Sequence, residues 1–542
     1  MVAKDYGYTA FENEKNSQSN YNTSYYIEDV INGNVQDKIE LTPIQQFYDG
    51  TSIFITGSTG FLGKLLVEKL LRSCPTVSTL YLLVRSKKGK NLDERVDEMF
   101  DDVIFSRLKK ECPKFRHKVI GVAGDCSLPG LGLNVQDRKL LAEEVNVVFH
   151  VAATVRFDEK IKTAVAINIR SPRDLVRLGK EMKGLKSFVH VSTVYGNCLN
   201  SYIEERIYDP PIDGNKLILM TENVPEKMLD ELTPRLLGPY PNSYAYTKQI
   251  AEDVVREESE NMPVGIFRPA IVVSTYKEPI KSWINNMYGP TGVCAGAGVG
   301  LLRTLYCDSN VNANLVPADM CVNSLITSAW EIGEDFKKAT KENTHYEVPV
   351  YNYESGTDKP ITWGKFMYLS EINGIKYPSI KCIWYYQFNL YRYYPIYLLF
   401  TFLLHTIPAI LTDSILFCTG RKPRLMAAYR KVHKFSNVIS YFSTREWHVK
   451  SDRVRNQQKV MCENDRELFF SDLKQLDWDE FFQTYLKGVR IYLLQDPLET
   501  LETARVKWTW FYYANHLVKI LSYAGLTWLS YSCSKLLISF VL

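Results

Sequence analysis

Ser52-Ile-Phe-Ile-Thr-Gly-Ser-Thr-Gly-Phe-Leu-Gly-Lys-Leu-Leu-Val67 is the stretch that decides the fold. Residues 52–56 are a short apolar, β-branched run, which reads as a buried strand. Gly57, Gly60 and Gly63 follow at once as G-x-x-G-x-x-G and open a helical stretch over 60–72, with Leu62, Leu65, Leu66 and Leu70 at helical spacing. The first glycine permits a tight turn, the second lets the backbone approach a pyrophosphate, and the third lets helix and strand pack closely. The helix N-terminus then faces the phosphates. Thr56, Gly57, Thr59, Gly60, Phe61, Leu62 and Gly63 are therefore the expected core of a dinucleotide site.

Outward from this motif, short apolar runs at 80–84, 118–122, 145–151, 187–191 and 264–268 alternate with helix-length segments. Such alternation means βαβ units and a Rossmann-like, doubly wound parallel sheet. Residues 48–350 are read as one nucleotide-binding reductase domain. Arg85 ends the second strand, where an enzyme using NAD carries an acid for the ribose hydroxyls; a guanidinium suits a 2′-phosphate, so NADPH is the expected cofactor. Asp125 after the third strand is placed to reach the adenine. Ala152 and Ala153 after the fourth are small enough for a cofactor to lie against them, and Asn168 stands at the next helix as a cofactor contact or a plain cap.

Tyr244 and Lys248 lie four apart in Pro241-Asn-Ser-Tyr-Ala-Tyr-Thr-Lys248, on one face of a helix. An ammonium there can lower a phenol pKa and clamp a ribose, and the phenol can give a proton to a carbonyl oxygen. Thr193, or its neighbour Ser192, ends the fifth strand and is the expected second donor to that oxygen. Tyr195 and Tyr246 have no Lys at the same spacing. His150 and His190 sit in apolar strands and read as satisfied core residues, and no set of metal ligands is evident.

The chain has 542 residues, enough for two or three units, and a net charge of +4 that gives no case for nucleic acid. Its 11 cysteines include no C-x-x-C pair and read as reduced thiols of a cytosol-facing protein. Residues 1–47 are polar and read as a flexible lead-in. The Gly-rich stretch 281–300 reads as a loop, either plain surface or cover for a substrate channel. Residues 351–515 read as a helical domain that contains an apolar segment, 395–417, interrupted by His405, Pro408 and Asp413. After it, residues 421–459 hold eleven Lys and Arg against Glu446 and Asp452. If 395–417 spans a membrane once, these cations face away from the nucleotide domain, against the positive-inside tendency; a re-entrant, in-plane or buried helix avoids this. Residues 516–542 are expected to be a transmembrane anchor, long enough for a hydrocarbon core of ~30 Å. The terminal Phe540-Val-Leu542 is no peroxisomal address, so the endoplasmic reticulum is the expected membrane.

Together these motifs resemble the extended short-chain dehydrogenase/reductase superfamily, and within it the alcohol-forming fatty acyl-CoA reductases abundant in insects. The likeness covers residues 48–505 and rests on 56–63, 191–196, 244–248, Phe267-Arg-Pro-Ala-Ile-Val272, Trp283-Ile-Asn-Asn-Met-Tyr-Gly-Pro-Thr-Gly292 and Phe442-Ser-Thr-Arg-Glu-Trp447. Ala270 stands where Ser is frequent in that family, and Tyr288 where Asn is usual. The resemblance implies that a fatty acyl-CoA and two NADPH give a fatty alcohol, free CoA and two NADP⁺. The route it implies runs through a hemithioacetal and an aldehyde, at a lipid membrane. Two alternatives share parts of the pattern. A membrane-bound sterol dehydrogenase or sugar-nucleotide epimerase has the same cofactor site but no need of the region after 350. A non-catalytic NADP-binding scaffold would tolerate replacement of Tyr244 and Lys248.

Overall fold

The computed structural model describes residues 40–86 and 89–541. Most of the expected lead-in, residues 1–39, and Leu542 of the expected anchor lie outside the described residues. Residues 43–47 of that lead-in belong to a short helix, α1 (Pro43–Tyr48), closed by a capping box between Thr42 and Gln45. Ile44 and Tyr48 are buried, and the Tyr48 hydroxyl donates to the Ile326 carbonyl at 2.8 Å.

Among the described residues seven parallel strands form one sheet: β1 (Ser52–Thr56), β2 (Thr79–Val84), β3 (Val119–Ala123), β4 (Val147–His150), β5 (Ser187–Val191), β6 (Val264–Pro269) and β7 (Val350–Tyr353). Their order is β7-β6-β5-β4-β1-β2-β3, the doubly wound arrangement expected. Alternation along each strand feeds two cores. Ile53, Ile55, Phe149 and Val189 pack with Leu66 and Leu325 on one face, and Phe54, Val148 and Phe188 with Leu175 and Val255 on the other. β7 lies on the expected domain limit at 350 and pairs with β6 in the register Val350↔Ile266, so the sheet runs on to Tyr353.

The helices that matter for the site are α2 (Phe61–Ser73), α3 (Ser243–Glu258), α4 (Pro290–Gly298), α5 (Ala318–Glu342) and α6 (Trp363–Gly374). They are followed by α7 (Tyr394–Cys418), α8 (Leu425–Ser443), α9 (Trp478–Gly488) and α10 (Leu501–Val541). Residues 281–289 of the loop expected over 281–300 are indeed non-helical and reach the cavity described below, whereas α4 takes the place of the rest up to Gly298. Pro290 sits in its first turn, where a missing N–H costs nothing, and Ala295 and Ala297 are buried. Its small residues serve close packing rather than flexibility. Two-stranded parallel pairs tie the C-terminal helices to the sheet domain: Thr304–Tyr306 with Asn389–Tyr391, and Tyr202–Ile203 with His448–Val449.

Among the described residues α7 is the one stretch that combines the length and apolarity of a membrane span, and the described part of the expected anchor falls short of that apolarity. The expected anchor falls in the second half of α10. Ala504 and Asn515 of α10 are buried against the body, whereas Leu517, Leu521, Leu526 and Trp528 beyond them are exposed.

Candidate active site

A cavity of about 1010 Å³ opens at the C-terminal ends of β1, β4 and β5, where the strand order reverses. This is where a doubly wound sheet binds ligands. Gly57, Thr59, Gly60, Phe61, Leu62 and Gly63 line one wall, with Arg85, Asp125, Ala152 and Ala153 beside them. Gly57 has φ +75°, and a Cβ there would stand 2.7 Å from the Ala152 amide nitrogen. A Cβ on Gly63 would collide with the Gly57 carbonyl oxygen. The groove is thus a backbone cradle that side chains would fill. The first turn of α2 has no side-chain cap, which leaves its N–H groups for an anion.

Arg95 also lines this wall, a residue the sequence reading passed over. It lies in the helix Leu92–Phe100, whose start is marked by a capping box between Asn91 and Glu94. That box was the available signal. Neither Arg85 nor Arg95 has a carboxylate partner among the described residues.

Thr56 and Asn168, expected as cofactor contacts, do not line the cavity. Thr56 is buried beneath the turn; its hydroxyl bonds His150 Nδ1 at 2.7 Å and accepts from the Ala152 amide at 3.3 Å. Asn168 is buried too: its Oδ1 accepts from the Thr154 amide at 2.9 Å, and its Nδ2 donates to Thr247 Oγ1 at 3.0 Å. Both residues hold the walls in place, Thr56 through the β4 end and Asn168 through α3.

Tyr244, Lys248, Thr193 and Ser192 all reach the cavity. α3 starts at Asn242, whose side chain accepts from the Ala245 amide at 2.8 Å, and this cap puts Tyr244 in the first turn with Lys248 one turn on. The Thr193 side chain is close enough to the Tyr244 hydroxyl to favour its ionised form. Thr193 Oγ1 also stands 3.3 Å from the Pro269 carbonyl. Ser192 Oγ is buried without a hydrogen-bond partner among the described residues, so it remains a second donor for a bound group. Lys248 Nζ donates to the Val191 carbonyl at 2.7 Å.

The electrostatics differ from expectation. Burial pushes the Tyr244 phenol up to about 12, opposed by the Thr193 side chain beside it. Burial also pulls Lys248 down to about 8, against the nearby Glu252 carboxylate that favours its charge. Glu252 is itself locked to Arg268 in a fully buried ion pair. His150 and His190 are not the satisfied core residues expected. Their rings stack at 5.4 Å, yet His150 Nε2 and both His190 nitrogens lack a partner among the described residues. Burial pushes the His150 pKa to about 3 and the His190 pKa well below its usual value. Tyr246 packs on Tyr240 outside the cavity, and Tyr195 lies in its wall against Phe442 and Trp447.

Beyond Tyr244 the cavity becomes apolar. Val293 of α4, Leu305, Phe366 and Met367 of α6, Leu390, and Ile439 of α8 form this arm. None was singled out from sequence, because an apolar wall asks only for bulk. Asn285, Asn286 and Tyr288 line the same cavity.

Two family models described as "Male sterility protein" match the chain, an NAD-binding one over residues 55–325 and a second over 404–496. The chain is 40% identical to the fatty acyl-CoA reductase wat of Drosophila melanogaster over 502 residues, which is 93% of this chain and 95% of that protein. It is 38% identical to fatty acyl-CoA reductase 1 of Rattus norvegicus over 473 residues, 86% of this chain and 89% of that one. The chain belongs to the fatty acyl-CoA reductase family. Two solved structures share the fold at low identity. One is the terminal R domain of the myxalamid biosynthetic pathway, with TM-score 0.53, 18% identity and coverage of 83% of this chain and 93% of that one. The other is the reductase domain of a nonribosomal peptide synthetase from Mycobacterium tuberculosis, with TM-score 0.54, 17% identity and coverage of 83% and 96%. The residues of the glycine-lined wall fit a nicotinamide dinucleotide, in line with the NAD-binding model that spans β1 to β6.

Proposed function

We propose that this member of the family reduces a long-chain or very-long-chain fatty acyl-CoA to the fatty alcohol, with NADPH as reductant, through an aldehyde and with release of CoA. One observation carries the reading: Tyr244, Thr193 and Lys248 line the same cavity as the glycine-lined groove and the apolar arm. A nicotinamide bound in the groove would supply hydride to the substrate carbon. Tyr244, with its phenol held at about 12, stays protonated at neutral pH and gives its proton to the carbonyl oxygen. Thr193 donates a hydrogen bond to the same oxygen as negative charge develops on it, with Ser192 as the neighbouring donor. Lys248, fixed beside β5, clamps the ribose and keeps its orientation. The arm from Val293 to Ile439 holds the acyl chain and keeps water from the thioester. The hemithioacetal formed first would return its hydroxyl proton to the Tyr244 phenolate as its carbon–sulfur bond breaks, giving the aldehyde and the CoA thiolate. The reprotonated phenol then serves the second reduction once a fresh NADPH has replaced the spent NADP⁺.

The choice of NADPH rests on Arg85 and Arg95, whose guanidinium groups match a ribose 2′-phosphate. Residues 48–353 would form the reductase domain, 354–515 its helical companion, and the part of α10 beyond 515 an anchor in the endoplasmic reticulum with the cavity on the cytosolic side. The test is to incubate membranes carrying the full chain with acyl-CoA and NADPH and to identify products by mass. Fatty alcohol at one molecule per two NADPH is expected. NADPH oxidation that does not depend on acyl-CoA, or a product that stops at aldehyde, would refute the reading.

A further inference from the structure

We infer that α7 does not cross the membrane but lies flat in the surface of an anionic bilayer, on the same side as the cavity. This deepens the membrane part of the proposed function and is independent of its acyl-CoA part. Tyr397, Thr401, His405 and Ala409, spaced by four, form a buried stripe along α7. The stripe is bonded to the catalytic body. Thr401 Oγ1 lies 3.0 Å from Thr304 Oγ1, and His405 Nε2 accepts from the Arg303 amide at 2.9 Å. His405 Nδ1 faces His433 Nε2 at 3.1 Å, and its ring stacks on Tyr429 at 4.6 Å. A helix glued to a folded domain along its middle cannot pass through a bilayer that the domain stays outside.

The return of the chain leads to the same conclusion. Asp413 on α7 accepts from the amides of Arg424, Leu425 and Met426 at 3.0, 3.0 and 2.9 Å, and so fixes the start of α8 beside the end of α7. α8 then runs back to place Ile439 and Phe442 in the cavity. A spanning α7 would force α8 to recross, with Arg430, Lys431 and Lys434 in hydrocarbon, where such charges are strongly disfavoured. Lying flat, the hairpin instead offers lipid the exposed Leu399, Phe402, Leu403, Ile410 and Ile415. Around its turn, Arg421, Lys422, Arg424, Arg430 and Lys431 have no ion-pair partner among the described residues and are free to meet anionic headgroups. The strand Thr304–Tyr306 links this surface to the chemistry. Thr304 and Tyr306 hold α7 while Leu305 between them lines the apolar arm. A wall residue of the cavity thus lies between two residues that hold the membrane-facing helix.

The experiment uses the full chain in sealed microsomes, with Cys418→Ser and Cys533→Ser to remove the exposed thiols. Lys422→Cys at the hairpin turn is compared with Lys216→Cys on the body, with a membrane-impermeant maleimide as probe. Equal labelling of both before detergent is expected. Labelling of Lys422→Cys only after detergent, with Lys216→Cys open throughout, would mean that α7 spans and would overturn the inference. In a second arm, a fluorophore on Leu403→Cys is read in phosphatidylserine-containing vesicles, where lipids brominated near the headgroup should quench it more than lipids brominated at the chain end. No quenching by either lipid, or stronger quenching by the deep label, also overturns it. Loss of acyl-CoA turnover with the expected labelling would count against the proposed reaction alone.

Discussion

The two halves of the cavity are built by opposite means. The nucleotide half comes from strand ends taken in chain order: 57–63 after β1, Arg85 after β2, Asp125 after β3, and Ala152 with Ala153 after β4. The proposed acyl half takes one or two side chains each from α4, the 304–306 strand, α6, the 389–391 strand and α8. Backbone recognition of a pyrophosphate needs a positive φ and missing Cβ atoms at fixed offsets, so it leaves a motif. An apolar enclosure needs only volume, which many side chains can supply from anywhere in the chain. Tyr244 and Thr193 line the cavity that holds both parts, which makes them the sharpest test. Tyr244→Phe should lower kcat by about 10²- to 10⁴-fold, the usual contribution of a positioned proton donor. NADPH affinity, followed by cofactor fluorescence, should hardly change. A fall in both together would place Tyr244 in the nucleotide half rather than at the substrate carbonyl.

A smaller effect is expected inside the nucleotide half. Arg85→Ala and Arg95→Ala should each weaken NADPH binding by about ten- to a hundredfold, the range for hydrogen bonds to a charged group, and leave NADH binding unchanged. The ratio of kcat/KM for the two cofactors measures this directly. Equal loss for NADH and NADPH would mean that these residues hold the pyrophosphate instead.

The same contrast explains what was legible in advance. Six strands and α2 could be read because apolar runs and leucine spacing report burial directly, whatever the partner. β7 could not, since Pro349 interrupts the run and the 25-residue α5 intervenes before it. α4 was hidden by its own composition: Gly, Ala and Pro signal a loop locally, but tertiary packing used their small size to seat a helix. Tyr244 and Lys248 stood out by their spacing on one helix face and Thr193 by its place at a strand end, and the structure brings all three to one cavity. Their electrostatics were not legible, since a pKa depends on burial that spacing does not reveal. Thr56 and Asn168 show the limit of motif reading. A residue can belong to a nucleotide motif by supporting the wall without touching what the wall holds.

Lysine 248 adds a pH dependence with a definite sign. Its pKa, pulled down to about 8, means the ammonium is complete below that pH and lost above it. The Tyr244 phenol, raised to about 12, keeps its proton throughout. Alkaline loss of activity should therefore appear in KM for NADPH, rising up to about tenfold per pH unit above about 8, with little change in kcat. Lys248→Arg, charged at every accessible pH, should flatten that limb. An alkaline limb confined to kcat would instead assign the titration to the chemical step.

The mildest change is expected deep in the acyl half. Met367 is nearly buried and lines both the main cavity and a second one of about 50 Å³ beside Cys294, Ala297 and Gly298. Met367 is thus a wall residue shared by the two. Met367→Ala should open the small cavity to the end of the acyl chain and favour longer substrates by about fourfold in kcat/KM per accommodated methylene, from ~0.8 kcal/mol per buried CH₂. Met367→Phe should shift preference towards shorter chains, and neither variant should alter the KM for NADPH. Because the arm is made of bulk rather than of positioned groups, its substitutions should move chain-length preference while total turnover on the best substrate stays nearly constant. A profile that falls evenly at all lengths would mean that the acyl chain takes another path, and that the apolar arm closes the site without measuring its contents.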